Sequence, residues 1–170
     1  LAEIRKLTGI ERVHVIAHCL GAVSFLMSLF GTAVEGVTSV IANSAGLTPR
    51  VPQWSKVKLW AAPFLVEKVL QQPYLSPDYR LFPNGMIGKA FGQVVDMLHP
   101  ECDESSCHML SVMWGTGFPA LYAHENLDPV THRRSGDLYG PTGLHYYRHV
   151  RKMVLAGHAV KYDPKNSSLR

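Results

Sequence analysis

Cysteine is scarce, with three residues in 170, and an odd count argues against a disulfide scaffold and for a reducing compartment. Long hydrophobic runs are missing as well. No segment reaches the ~18 consecutive apolar residues that a membrane-spanning helix needs, so no transmembrane segment is expected. Charged residues make up only 18%, with 17 Lys/Arg against 13 Asp/Glu for a net charge of +4. That charge is spread without a run or an alternation of basic and aromatic residues, which argues against nucleic acid as a partner. Internal repeats and low-complexity tracts are absent. What remains is an ordinary globular composition, 46% hydrophobic, long enough for one domain.

The first residue is Leu, not Met, and the chain opens inside a helical pattern of Leu1, Ile4 and Leu7 stopped by Thr8-Gly9. The expectation is a piece cut from something longer, for which a missing signal peptide carries no information.

The informative stretch is Val13-His-Val-Ile-Ala-His-Cys-Leu-Gly-Ala22. Val13, Val15 and Ile16 are β-branched and nearly continuous, as in a parallel strand covered on both faces. From Leu20 to Phe30 no turn residue follows Gly21, and the pattern becomes helical. Strand therefore breaks into helix at Cys19. Ala17-x-Cys19-x-Gly21 fits the Gly-x-Ser-x-Gly nucleophile elbow, with Ala for the first Gly and Cys for Ser. A nucleophile on so tight a turn has strained φ/ψ, and small residues two before and two after let strand and helix approach. The helix N-terminus favours a thiolate, and the Leu20 N–H would be an oxyanion donor. The plainer alternative is that Cys19 is a small buried hydrophobe.

After Gly31, Val37–Asn43 reads as a second strand, so strand, helix and strand make one parallel βαβ crossover. Residues 44–52 are loop by their Gly and Pro content, at the strand edge where open α/β sheets place their sites. From about Gln53 to His158 the alternation stops and short helices follow. Val57–Leu70 is helical, with Pro63 expected to kink or divide it. Met86, Ile87, Ala90, Phe91, Val94, Val95 and Leu98 mark an amphipathic helix. Ser105 or Ser106 would cap another through Trp114, Asp128-Pro129 is an N-cap with Pro at the first helical position, and Leu144 to Val154 form a last helix stopped at Gly157. Such a block after a βαβ unit suits a lid whose apolar stripes line a pocket over the elbow. Alternatively, Trp54, Trp60, Phe91, Met113 and Trp114 are simply its own core.

Nine histidines are present. His18 adjoins the nucleophile, where neighbouring side chains point apart, so it suits a site wall better than a base. His14, His99, His108, His124, His132, His145, His149 and His158 lie on strand, lid helices or loops, and none is favoured as the base. Cys102-Asp-Glu-Ser-Ser-Cys107-His108, with His99 just before, has the residue types of a zinc site but not the familiar paired-knuckle spacing. It is read as a structural loop, with a local disulfide or a metal as alternatives, and no metal ligand is assigned. Position supports none of Asp128, Asp137 or Asp163 as a triad acid. A two-strand sheet cannot bury a lid and the elbow helix, so further strands before Leu1, and an acid and a His after Arg170, are expected to complete the fold and site.

The elbow Ala17-His-Cys-Leu-Gly21 after Glu11–Ile16, the stretches Pro100–Cys107 and Leu121–Leu127 with Thr131-His132, and the ending Met153-Val-Leu-Ala-Gly-His158 together resemble the α/β-hydrolase region attached to some glucose-methanol-choline (GMC) oxidoreductases of the cholesterol-oxidase-like kind. The resemblance runs from the elbow to about Tyr162. It implies a hydrolase-type unit acting on a lipid or steroid ester, fused to or encoded with a flavin oxidase. FAD would belong to that other region, because no Gly-x-Gly-x-x-Gly fingerprint lies in these residues, and this chain is expected to hold no cofactor. Cys19 and Leu20 carry over to the family's elbow. The Cys elbow is also similar to those of dienelactone hydrolases and polyhydroxyalkanoate synthases, which keeps acyl transfer open.

The expectation is thus an α/β chain: a partial α/β-hydrolase fold with core segment 1–52, helical lid 53–158 and a return segment 159–170. Its site is Cys19 as nucleophile, with Leu20, His18, Ala17 and Gly21 forming the elbow and oxyanion hole. Its partners are an apolar ester or thioester, the rest of its own domain and a fused or associated flavin oxidoreductase, in a cytoplasmic setting. The alternatives are an acyltransferase using the same Cys19 and a non-catalytic lipid-binding or docking region of the flavoenzyme.

Overall fold

A computed structural model describes residues 1–78 and 85–162; Asp163 and the end of the 159–170 return segment lie outside them. The described chain is mixed α/β and divides into two compact units, Leu1–Arg50 with the residues from Lys152, and Val51–Arg151.

In the first unit, helix α1 (Ala2–Thr8) ends where Gly9 turns left-handed at φ 70° and returns its N–H to the Arg5 carbonyl. Strand β1 (Val13–His18) runs straight into α2 (Cys19–Phe30), and β2 (Val37–Asn43) returns parallel to β1, pairing Val15 with Val40 and His18 with Asn43. This is the βαβ crossover that the pattern predicts. Val13, Val15 and Ala17 are half-buried on the face where α2 packs, and Ala22 of α2 is wholly buried. The other face is bare. Ile16 is 79% exposed and Ile41 62%, so the strand covered on both faces is corrected to a strand covered on one. The run of β-branched residues reports compatibility with a sheet, not which faces are occupied.

The second unit is built on α5 (Ser105–Trp114), six of whose residues, Cys107 to Ser111 and Met113, are buried. Around it in sequence stand α3 (Gln53–Lys68), α4 (Gly85–Met97), α6 (Pro129–Arg133) and the first eight residues of α7 (Leu144–Ala156), whose end from Lys152 belongs to the first unit. Two residues of β3 (Tyr74–Leu75) pair antiparallel with β4 (Thr142–Gly143), a pairing too short for any pattern to announce. Helix α4 meets α5, and its buried stripe is Gly88, Gly92 and Val95. The expected apolar stripe is therefore rotated: Met86, Val94 and Leu98 are exposed, while Gly88 and Gly92 lie on the buried side.

Three further expectations change. Helix α3 runs undivided through Pro63, which is buried with Ser55, Leu59 and Val66 along one stripe; the missing N–H forfeits one bond and the stripe compensates. Trp54 and Trp60 are not core, being 64% and 66% exposed, since they lie off that stripe. Phe91 and Trp114 are half-buried, and of the five named residues Met113 alone is fully buried. Helix α5 is entered from Glu104 without a side-chain cap; Ser105 Oγ instead donates to Asp96 Oδ2 at 3.3 Å. The cap at Asp128 holds, its Oδ1 accepting from the N–H groups of Val130 and Thr131. The last helix stops at Gly157, at φ 77°. Among the described residues no helix is long and apolar enough to cross a membrane.

Leu110 and Met109 are fully buried on α5, where each contributes roughly 1.5–3 kcal/mol of burial. Leu110→Ala is expected to destabilise the chain by about 2–5 kcal/mol in chemical denaturation. A loss under about 1 kcal/mol would mean that α5 is not the core.

Candidate functional site

Cys19 is the first residue of α2 and has φ 49°. His18 before it is still extended at φ −127°, ψ 143°, so the whole reversal from strand to helix falls on one non-glycine residue. Such a conformation costs of order 1–3 kcal/mol and persists only where its surroundings impose it. Cys19 is exposed, so it is not packed among the described residues as the plainer alternative has it. Leu20 follows in the first turn, where its N–H has no intrahelical carbonyl to bond, and no acidic side chain occupies that turn.

The elbow residues divide by role. Ala17 is half-buried on the α2 side and pairs with Ala42. His18 lies on the bare face and accepts at Nδ1 from Asn43 Nδ2 at 3.2 Å, which ties it to β2. Gly21 differs from expectation, because a Cβ built there meets no atom within 4 Å. The corner is open on that side, and packing among the described residues does not demand glycine. Ser44, at the end of β2, repeats the left-handed turn with φ 53°, so both strands leave the sheet abruptly at the same edge. Among the described residues no histidine bonds the Cys19 sulfur.

A second constellation lies wholly in the second unit. One ligand atom each from Cys102, Cys107, His124 and His132 falls within 4.8 Å of the others. Cys102 sits in the loop before α5, Cys107 in its first turn, His124 in a 3₁₀ turn (His124–Asn126) and His132 in α6. Cys107 Sγ is 3.5 Å from His124 Nε2, and the two imidazoles meet edge to face with centroids 4.8 Å apart. Burial, then the neighbouring Cys102 thiol, pushes the Cys107 thiol up to about 12. Burial and the adjacent His124 hold His132 below the usual imidazole range. Both cysteines are free thiols. His99 and His108, which the sequence placed beside the cysteines, are not in the set. His99 Nδ1 donates to the Val95 carbonyl at 2.7 Å and its ring stacks on His108. The sequence pattern groups the two thiols but not His124 and His132, whose separation from the cysteines matches no short motif.

The second unit also holds an apolar cleft of about 260 Å³, with Val51, Leu59, Met113, Trp114 and Tyr147 in its walls. Lys58 reaches into it and donates to the carbonyls of Val112, at 2.9 Å, and Gly115, a cation closing the C-terminal end of α5.

No protein-family model, curated protein or solved structure matches this chain.

Two predictions follow from this geometry. Gly21→Ala removes a flexible residue from a helix where the added methyl meets nothing, so it is expected to raise stability by about 0.4–1 kcal/mol in thermal melts; a loss would restore the steric demand. Burial lowers Lys58 from 10.5 to about 8, so between those values the folded chain binds fewer protons than the unfolded one. Its unfolding free energy is expected to rise through that window, the full burial cost being felt below it. Lys58→Met should flatten the rise, and denaturation curves across the window that keep the wild-type slope would contradict it.

Proposed function

We propose that the chain carries the nucleophile of an α/β-hydrolase-type enzyme acting on a lipid-like or steroid ester or thioester. The single observation that carries this is the left-handed backbone of an exposed Cys19 between a parallel strand and a helix. A strained nucleophile at that corner is how such enzymes present the reacting atom above a sheet.

In this reading the Cys19 thiolate attacks the substrate carbonyl, a C–S bond forms, and the oxyanion takes the Leu20 N–H with a second backbone donor. Collapse expels the alcohol or thiol, which leaves with a proton from a histidine acting as general acid. Water then attacks the acyl-enzyme, the histidine takes its proton, and Cys19 is released with the acid. The histidine and its carboxylate come after the nucleophile in chain order in this class. Another hydroxyl or thiol in place of water would make the enzyme an acyltransferase. Reducing surroundings, such as the cytoplasm, suit a thiol nucleophile.

A second reading, a lipid-binding or docking region of a GMC-type flavin oxidoreductase, draws on the exposed Trp54, Trp60 and Phe64 of α3. Large apolar side chains left bare along one helix suit a partner or lipid surface.

The test is incubation of the full-length natural protein with short- and long-chain p-nitrophenyl esters, followed by intact mass. An acyl adduct is expected that disappears in Cys19→Ala. No adduct and no turnover in either protein would sink the hydrolase reading and favour docking.

A further inference from the structure

The geometry points to a structural zinc site in the second unit, with Cys102, Cys107, His124 and His132 as its four ligands. It is independent of the elbow and of the activity proposed for it.

Two thiols and two imidazoles form the Cys₂His₂ donor set of closed, four-coordinate zinc centres. Bond lengths of ~2.3 Å to sulfur and ~2.0–2.1 Å to nitrogen imply tetrahedron edges of roughly 3.3–3.8 Å. The four ligand atoms already lie within 4.8 Å of one another, and the Cys107–His124 edge is 3.5 Å. A contraction of about 1 Å at the widest edge completes the tetrahedron. The thiols select zinc over the hard cations magnesium and calcium, which take oxygen. Zn²⁺ displaces one proton from each thiol and sheds its waters, which leaves a neutral centre with no open position.

Three further observations favour an ion. The Nε2 of His132 is buried and has no hydrogen-bond partner among the described residues, which a buried imidazole nitrogen rarely tolerates. The cysteine end already has an outer layer: Asp96 Oδ1 lies 2.7 Å from His108 Nδ1, and His108 Nε2 lies 2.9 Å from the Cys102 carbonyl oxygen and 3.2 Å from its sulfur. Polar partners behind a ligand residue are how metal sites orient their donors. Finally, between Gly115 and Gly143 only Ser135 is buried, so this long segment has almost no apolar core of its own. His124 and His132 sit at its middle, and an ion joining them to α5 supplies the order that burial does not.

Asp96, His108 and Cys102 are also the types of an acid–base–nucleophile line. The shorter distance from His108 Nε2 to the carbonyl than to the sulfur, and the shared position of Cys102 among the other ligands, favour the metal.

The test uses the whole chain, stripped with chelator under reducing conditions and reloaded with Zn²⁺ or Co²⁺. One ion per chain is expected by elemental analysis, with thiolate-to-cobalt charge transfer and tetrahedral d–d bands in the Co²⁺ form. X-ray absorption of the zinc form should show two sulfur and two nitrogen ligands. His132→Ala, on an exposed short helix, should abolish the tetrahedral spectrum; Asp96→Asn should weaken affinity about 10–100-fold; and His145→Ala should change neither. Any of three results overturns the proposal: no stoichiometric uptake, a cobalt spectrum without thiolate bands, or binding unaltered by His132→Ala. A Cys102–Cys107 disulfide in the native protein, or ester acylation at Cys102 in the absence of metal uptake, would do the same.

Discussion

The burial of α5 is the constraint on which the second unit depends. A helix buried over most of its length carries its polar side chains into the core, where each must find a partner or cost free energy. Ser111 Oγ donates to the Cys107 carbonyl and accepts from the Leu121 N–H, which anchors the segment leaving the helix. His108 reaches Asp96 on α4 and the carbonyl of Cys102, and Lys58 of α3 meets the last carbonyls. The polar groups on α5 thus decide which neighbours it has, while Met109, Leu110 and Met113 supply the driving force.

The first unit works from a different constraint, a single strained residue. The parallel pairing of β1 and β2 fixes where β1 ends, α2 begins one residue later, and no spare residue exists to absorb the reversal. Cys19 therefore takes the left-handed turn itself. The same geometry that costs backbone energy leaves Cys19 exposed in the first turn of α2, so strain and exposure have one origin. His18, adjacent in sequence, is drawn to Asn43 on the neighbouring strand because alternate residues of a strand belong to opposite faces.

Both units leave apolar side chains uncovered: Ile16 and Ile41 on the sheet, Trp54, Trp60 and Phe64 on α3. Single exposed apolar residues are ordinary, but several along one face are the usual mark of a surface that meets something. Hydrophobic pattern alone offered Ile16, Trp54 and Trp60 as buried, since periodicity shows that a residue can be buried and not what buries it.

What the sequence by itself determined is local. The strand–helix corner at Cys19, the strand at Val37–Asn43, the stop at Gly9, the cap at Asp128 and the end of the last helix at Gly157 all follow from residues within a few positions of one another. Backbone sterics, capping and period act over that range. Only the tertiary structure decided which stripe of α4 is buried, that Pro63 leaves α3 undivided, that the tryptophans of α3 face outward, and that His124 and His132 converge on Cys102 and Cys107. Those outcomes depend on contacts between segments far apart in the chain, such as the meeting of α4 with α5 and the convergence of separate loops on α5, which leave no regular spacing to read.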